Sequence, residues 1–367
     1  MMHTKRSLCL TAVFTVLVAV SFFARTAEHK LPQIPFLEDW QSSPHADFEA
    51  EPFAHWNDEG KVSKDCAGCH STTGHLDFLG VDGSAAGSVE KDAPIEEGVA
   101  CVACHNTATL HKEAVLFPSG IEVERFEPDA RCMDCHQGRS SGIAVDKMVQ
   151  EAAVADDASS DKLKFLNIHY SAAGATRFGA EAHGGYQYSG QKYAGFYFHD
   201  EVSTQCNDCH NSHTLKIDPR GCQDCHESVV TKDDFANIRD LKGDFDGDGN
   251  TEEGIKYEVQ GLEELLLTVM TRYSTDVVGS GIAYDEHTYP YFFNDLNANG
   301  KVDEDEANRK NGYSHWTPRL AKAAYNYQFA LKDHGAYMHN ASYVLQLMHD
   351  SVMDLGQKVT VPKLDRP

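Results

Sequence analysis

Apolar residues recur every three to four positions in three stretches of the C-terminal third: Ile255 to Tyr273, Thr317 to Lys332 and Ser342 to Leu355. That period predicts three amphipathic helices. Pro318, one place after Thr317, marks a helix start, and Gly356 marks the stop after the last helix. Upstream, alternation over short runs predicts two β-hairpins. One runs from Ala114 to Phe126 and turns at Pro118-Ser119-Gly120; the other runs from Tyr186 to Phe198 and turns at Ser189-Gly190. Acidic, Ser-rich residues 151–161 read as an exposed loop. The rest of the stretch from 28 to 230 holds no sustained period and predicts little regular structure.

The longest apolar run lies at the N-terminus, from Leu8 to Ala24, behind Lys5 and Arg6 and ahead of polar sequence from Glu28. Basic end, apolar run and polar exit are the order of a secretory signal peptide. The cleavage signal is poor: cutting after Ala27 places Arg25 three positions back, and cutting after Ala24 places Phe22 there. An uncleaved N-terminal anchor is therefore the alternative, and either route places the remainder outside the cytoplasm: periplasmic, at the cell surface or extracellular. Three regions follow: 1–27 as signal peptide or anchor, 28–230 as a cysteine-bearing region, and 231–367 as a helical part.

Charge narrows the partners. The 367 residues hold 56 acidic side chains against 32 basic ones, a formal charge of -24. A field of that sign repels nucleic acid and anionic membrane surfaces, and is compatible with cations and with basic docking partners.

Cysteine placement supplies the chemistry. Apart from Cys9, ten cysteines fall into five pairs with two residues between them: Cys66/Cys69, Cys101/Cys104, Cys132/Cys135, Cys206/Cys209 and Cys222/Cys225. A disulfide framework or zinc sites would use such pairs, but neither needs a particular next residue. Here His70, His105, His136, His210 and His226 follow all five pairs directly. Haem c requires that histidine: two thiols form thioethers with the porphyrin vinyl groups, and the adjacent imidazole reaches the iron. The pattern predicts five covalent haems. The motif starts are 35, 31, 74 and 16 residues apart, so the last two haems must lie close together.

Each iron then needs a sixth ligand. Met133 and Met148 are the methionines between residues 30 and 260, whereas eight non-motif histidines lie between 40 and 230. Bis-histidine ligation with low potentials is the expectation. His213 ranks first, three residues beyond His210 and so one helical turn along. His45 and His55 precede the first motif, and His169 and His199 lie on aromatic stretches. His75, His111 and His183 rank lower, on polar or Gly-rich stretches.

Two acidic loops interrupt the helical part. Asp295, Asn297, Asn299, Gly300 and Glu306 fit D-x-[DN]-x-[DN]-G-x5-E, the EF-hand calcium loop. Asp244, Asp246, Asp248 and Gly249 open a second, but Ile255 stands where the bidentate Glu belongs, leaving Glu252 or Glu258 as substitutes. Both loops also read as Gly-Asp-Asn surface turns.

Taken together, the residues resemble the exported multihaem c-type cytochromes of respiratory and extracellular electron transfer, and more narrowly a pentahaem group with an EF-hand-like C-terminal part. The resemblance rests on Ser43-Pro44-His45-Ala46-Asp47 with His55-Trp56, on Leu76 to Gly80, on Arg131 to Gly138, on Asn167 to Tyr170 and on Gly184 to His199. It continues through Asp244 to Gly249 and Thr317 to Gln328. It implies a multihaem cytochrome c fold, mostly irregular and short-helical with a few β-hairpins, followed by an α-helical part. It also implies haem roles for His45, His55, His169, His199 and His213. Two departures are Asn211-Ser212, where Asp-Pro is expected, and His334, where Pro is expected. The implied function is electron transport between redox proteins. A reductase or oxidase of a small nitrogen or sulfur compound at a five-coordinate haem is the enzyme alternative, though no Cys-x-x-Cys-Lys motif is present. A subunit of a self-associating cytochrome filament would use the same residues.

Overall fold

The computed structural model describes residues 33–95, 98–124, 127–199 and 205–367. The apolar N-terminal run lies outside the described residues, and among those described no helix is long and apolar enough to cross a membrane. The chain divides after Leu37, and residues 38–367 form one compact unit.

Twelve helices and six short strands run along the described chain. The first nine helices are mostly single turns: α1 (Leu37–Gln41), α2 (Glu51–Ala54), α3 (Lys64–His70), α4 (Thr72–Phe78), α5 (Cys101–Cys104), α6 (Glu127–Met133), α7 (Gly142–Ala152), α8 (Ala173–Phe178) and α9 (Cys206–Cys209). Three long helices follow: α10 (Ile255–Tyr273), α11 (Pro318–Lys332) and α12 (Ala336–Leu355). The strands form three antiparallel pairs: β1 (Lys61–Val62) with β2 (Ala93–Pro94), β3 (Ala114–Leu116) with β4 (Glu122–Glu124), and β5 (Ile282–Tyr284) with β6 (Phe292–Asn294).

The long helices sit where hydrophobic period and caps put them. Thr317 caps α11, its hydroxyl accepting from the Leu320 amide at 3.2 Å. α12 begins six residues earlier than its period suggests, at Ala336 rather than Ser342. It breaks at Asn340, whose backbone is extended and whose side chain caps the resumed helix through the Tyr343 amide at 3.1 Å. The three helices pack on one another around Leu262, Leu266, Tyr325, Phe329, Tyr343 and Leu347. This cluster is continuous with Val115, Phe117, Met133, Ile168 and Phe178. The expected boundary near residue 230 is therefore not a break in the core.

The first hairpin forms in the expected register, Val115 opposite Val123, with the turn at 118–120; its last expected residue, Phe126, lies outside the described residues. The second hairpin does not form. Residues 186–198 turn at Ser189-Gly190 but build no ladder, because side chains take up the backbone groups instead. Asn326 accepts from the Tyr186 amide at 2.7 Å and donates to the Tyr186 carbonyl at 2.9 Å, an amide imitating a strand. Gln346 accepts from Ala194, the Tyr343 hydroxyl from Gly185, and Glu181 from Phe196. The aromatic alternation faces a helix pair, not a partner strand.

The segment expected as a loop at 151–161 starts inside α7 and then supplies Asp157 to a buried cation. Arg319, 4% exposed, donates through Nε to Asp157 at 2.8 Å and through Nη1 to Asp354. Tyr273 and Lys358 also bond Asp157. Burial pushes the Asp157 pKa up, but Arg319, Lys358 and Tyr273 outweigh it and pull it down to about 2. We expect Arg319→Met to remove the buried cation that Asp157 and Asp354 share and to cost about 3–5 kcal/mol by urea unfolding; a loss below 1 kcal/mol would refute the role assigned to this cation. Because the folded pKa of Asp157 is depressed, its contribution is complete above about pH 4 and is lost as pH falls towards 2. Between pH 4 and 2 the melting temperature of Asp157→Asn should therefore fall less steeply than that of the parent.

Candidate functional site

Each Cys-x-x-Cys-His occupies one helical turn, which sets the first Cys, the second Cys and the His at i, i+3 and i+4 on one face. The His amide closes that turn onto the first Cys carbonyl in four motifs: His105 to Cys101, His136 to Cys132, His210 to Cys206 and His226 to Cys222, at 2.8 to 3.0 Å. The first motif closes α3 instead, with His70 as its last residue.

Opposite each motif imidazole stands a second imidazole. His70 faces His169 with ring centres 5.8 Å apart and Nε2 atoms 3.5 Å apart. His105 faces His213 at 6.2 Å with rings 8° from parallel. His136 faces His45 at 6.4 Å, His226 faces His199 at 6.2 Å, and His210 faces His339 at 6.4 Å. Two metal–imidazole bonds of about 2.0–2.1 Å, plus about 1.1 Å from each nitrogen to its ring centre, require about 6.3 Å. Four of the five separations fit one iron between the rings, and His70 and His169 stand about 0.5 Å closer than that. His199 adds an orphaned polar atom, a buried Nδ1 with no hydrogen-bond partner among the described residues.

The surrounding groups fix which nitrogen faces inward. Nδ1 of His70 lies 2.9 Å from the Pro52 carbonyl, that of His136 3.0 Å from Ser171, and that of His210 3.4 Å from Leu215. Donation from Nδ1 leaves Nε2 with its lone pair towards the facing ring. Burial and the opposed His136 lower the His45 pKa to about 4; burial and His70 lower that of His169 to about 4. Both rings are thus neutral, as a metal ligand must be. His339 is held by Asp333, whose two oxygens lie 2.9 and 2.8 Å from Nδ1. Burial pulls its pKa down, and the Asp333 carboxylate outweighs that and raises it.

The facing residues reach their places by distinct local devices. Gly98, at φ +64°, lets the chain pass His45: a Cβ there would lie 2.2 Å from the His45 carbonyl. Asn167 accepts from the His169 amide at 2.8 Å and turns that ring inward. His213 is not one helical turn beyond His210. The helix ends at Cys209, and Asn211 accepts from the amides of His213 and Thr214, so the ring points to the second motif.

His55 is not brought to a motif imidazole. It is exposed, with Nδ1 2.6 Å from Glu51, and it meets the edge of Trp56, which in turn packs against His70. The fifth facing position belongs to His339, which the sequence reading missed. His339 lies beyond residue 230, and nothing local separates it from His334; only the packing of α12 against α8 brings it near His210. His75 is a buried core residue bonded to the Gly68 carbonyl at 2.8 Å.

In the C-terminal part, Asp244, Asp246 and Glu258 bring carboxylate oxygens within 4.8 Å of one another, as do Asp246, Asp248 and Glu253. Glu258, in the first turn of α10, converges where Ile255 cannot. Burial and the Asp248, Glu258 and Glu253 charges push Asp246 up to about 6 despite a bond from the Asp248 amide. The loop at 295–306 is folded by its own side chains. Asp295 accepts from Asn299 and Gly300, Asn297 accepts from Asn299, and Glu306 accepts from Leu296 and Asp303.

No protein-family model matches the chain, and no solved structure matches it. Among curated proteins it is similar to the C-type polyheme cytochrome OmcC of Geobacter sulfurreducens, 26% identical over 375 residues, covering 86% of this chain and 46% of that one. The C-type polyheme cytochrome OmcB of the same organism is 26% identical over 365 residues, covering 83% and 46%. The chain thus spans about half the length of the curated relatives it matches. Similarity sustained over that length makes the chain homologous to the Geobacter polyheme cytochromes.

Proposed function

We propose that this chain relays electrons between redox proteins outside the cytoplasm through five covalent c-type haems, each ligated by two histidines. The observation that carries the reading is the set of five imidazole pairs, every one joining a motif His to a His from elsewhere at 5.8 to 6.4 Å. An iron held from both sides offers no open position to a substrate, which favours carriage over catalysis. Cys66, Cys69, Cys101, Cys104, Cys132, Cys135, Cys206, Cys209, Cys222 and Cys225 supply the thioethers. The ligand pairs are His70/His169, His105/His213, His136/His45, His210/His339 and His226/His199. The haems supply the redox step when bound; the protein sets their ligands and spacing.

Calcium is the second proposed cofactor. Asp244, Asp246, Asp248 and Glu258 form one site, and Asp295, Asn297, Asn299 and Glu306 the other, both structural.

The oxidised protein should show low-spin iron alone in EPR, with five haems per chain by mass; a high-spin fraction near one haem in five would overturn the carrier assignment. His339→Ala should convert one haem to high spin and His55→Ala none, and the reverse result would restore His55 as a ligand. Chelation should release calcium, measured by elemental analysis. At hundredfold saturation its loss removes about 2.7 kcal/mol, roughly 4–6 °C of melting temperature. A protein that carries no calcium when purified in its presence would sink that part.

A further inference from the structure

The third motif touches the first and the fourth and lies close to the second. On one side, the thiol of Cys69 in the first motif is hydrogen-bonded to Cys135 in the third, and Cys69 Sγ lies 3.8 Å from the Asp134 carbonyl. On another, Cys104 of the second motif lies within electrostatic reach of Cys132. The segment after it is tied down by Arg131, donating to the Thr109 carbonyl at 3.0 Å, and by Lys112, paired with Asp134 at 3.4 Å. On the third side, Cys132 is hydrogen-bonded to Cys206 of the fourth motif. Asp129 accepts from the Cys206 amide at 2.6 Å and pairs with Arg177, so α6 packs on α9. Among the described residues Cys222 of the fifth motif lies within electrostatic reach of Cys209 of the fourth.

A thioether sulfur would sit on the rim of its porphyrin, so neighbouring sulfurs would bring the macrocycles of these motifs close together. We propose that the haem on Cys132/Cys135 is a junction touching the haems of the first, second and fourth motifs, so that the electron path is branched and not a line in motif order. Its three arms end on the first haem, on the second haem, and on the fifth haem by way of the fourth. Each hop oxidises one ferrous iron and reduces a neighbouring ferric one, with no bond made or broken. A chain with three ends can accept from one partner and deliver to two.

The inference rests on haem attachment at all five motifs, and the two fail differently: fewer than five covalent haems by mass would refute attachment without touching the geometry. In the fully reduced, diamagnetic holoprotein, NMR cross-relaxation between thioether protons should link motifs 1–3, 2–3, 3–4 and 4–5. Absence of the 1–3 or the 2–3 link overturns the junction. A second measurement uses His45→Met, which should raise the potential of the third haem and hold it reduced while the others titrate. The midpoints of three haems should then move and that of the fifth should not; a linear path moves two. Should that variant fail to fold, the cross-relaxation measurement on the unaltered protein still decides.

Discussion

Five pairs of imidazoles held about 6 Å apart are the constraint to which the rest of the fold answers. A separation of that size is too narrow for another side chain to enter, so the groups that position each pair lie outside it. The protein does this with backbone carbonyls on Nδ1 and with short turns, not with long elements. Pro52, Ser171 and Leu215 hold motif rings, while Asn167 and Asn211 fold the turns that present His169 and His213. The helices that carry motif cysteines, α3, α5, α6 and α9, are accordingly only four to seven residues long.

The same segments serve neighbouring pairs. His169 faces the first motif, and two residues later the Ser171 carbonyl accepts from the third motif's His136, while the Ser171 amide is bound to the carbonyl of Lys332 in α11. A tripeptide thus joins two ligand pairs to the helical core. Gly138, at φ +82°, abuts Ile168 so tightly that a Cβ would sit 2.7 Å from its side chain, which seats the third motif against this tripeptide. The helical part is accordingly no separate module. It contributes a facing histidine, the side-chain bonds that replace the second hairpin, and the floor on which the third motif rests.

Legibility from sequence followed the range of the interactions involved. The motif cysteines and histidines are local chemistry, and so are the boundaries of α10, set by hydrophobic period, and the start of α11, where period and capping residues agree. Four of the facing histidines also stood out, because scarce methionine and abundant histidine left few other candidates. His339 and His55 show where this stops: pairing across 129 residues (339 minus 210) depends on how α12 packs, and no local pattern encodes it. The hairpin at 186–198 failed for a related reason. Alternation reports that one face is buried, but not whether the other backbone edge meets a strand or, as here, Asn326 and Gln346.

The place of His339 bears on how the molecule is made. Chains leave the ribosome N-terminus first, so His210 emerges well ahead of the residue that faces it. Four motif histidines find their counterparts within the first 230 residues, and the pair at the fourth motif is completed only when α12 arrives and docks on α8. A truncated or stalled chain would present His210 without the imidazole that faces it. Closing that last pair makes assembly vectorial: the final helix to be delivered is the one that seals the fourth centre.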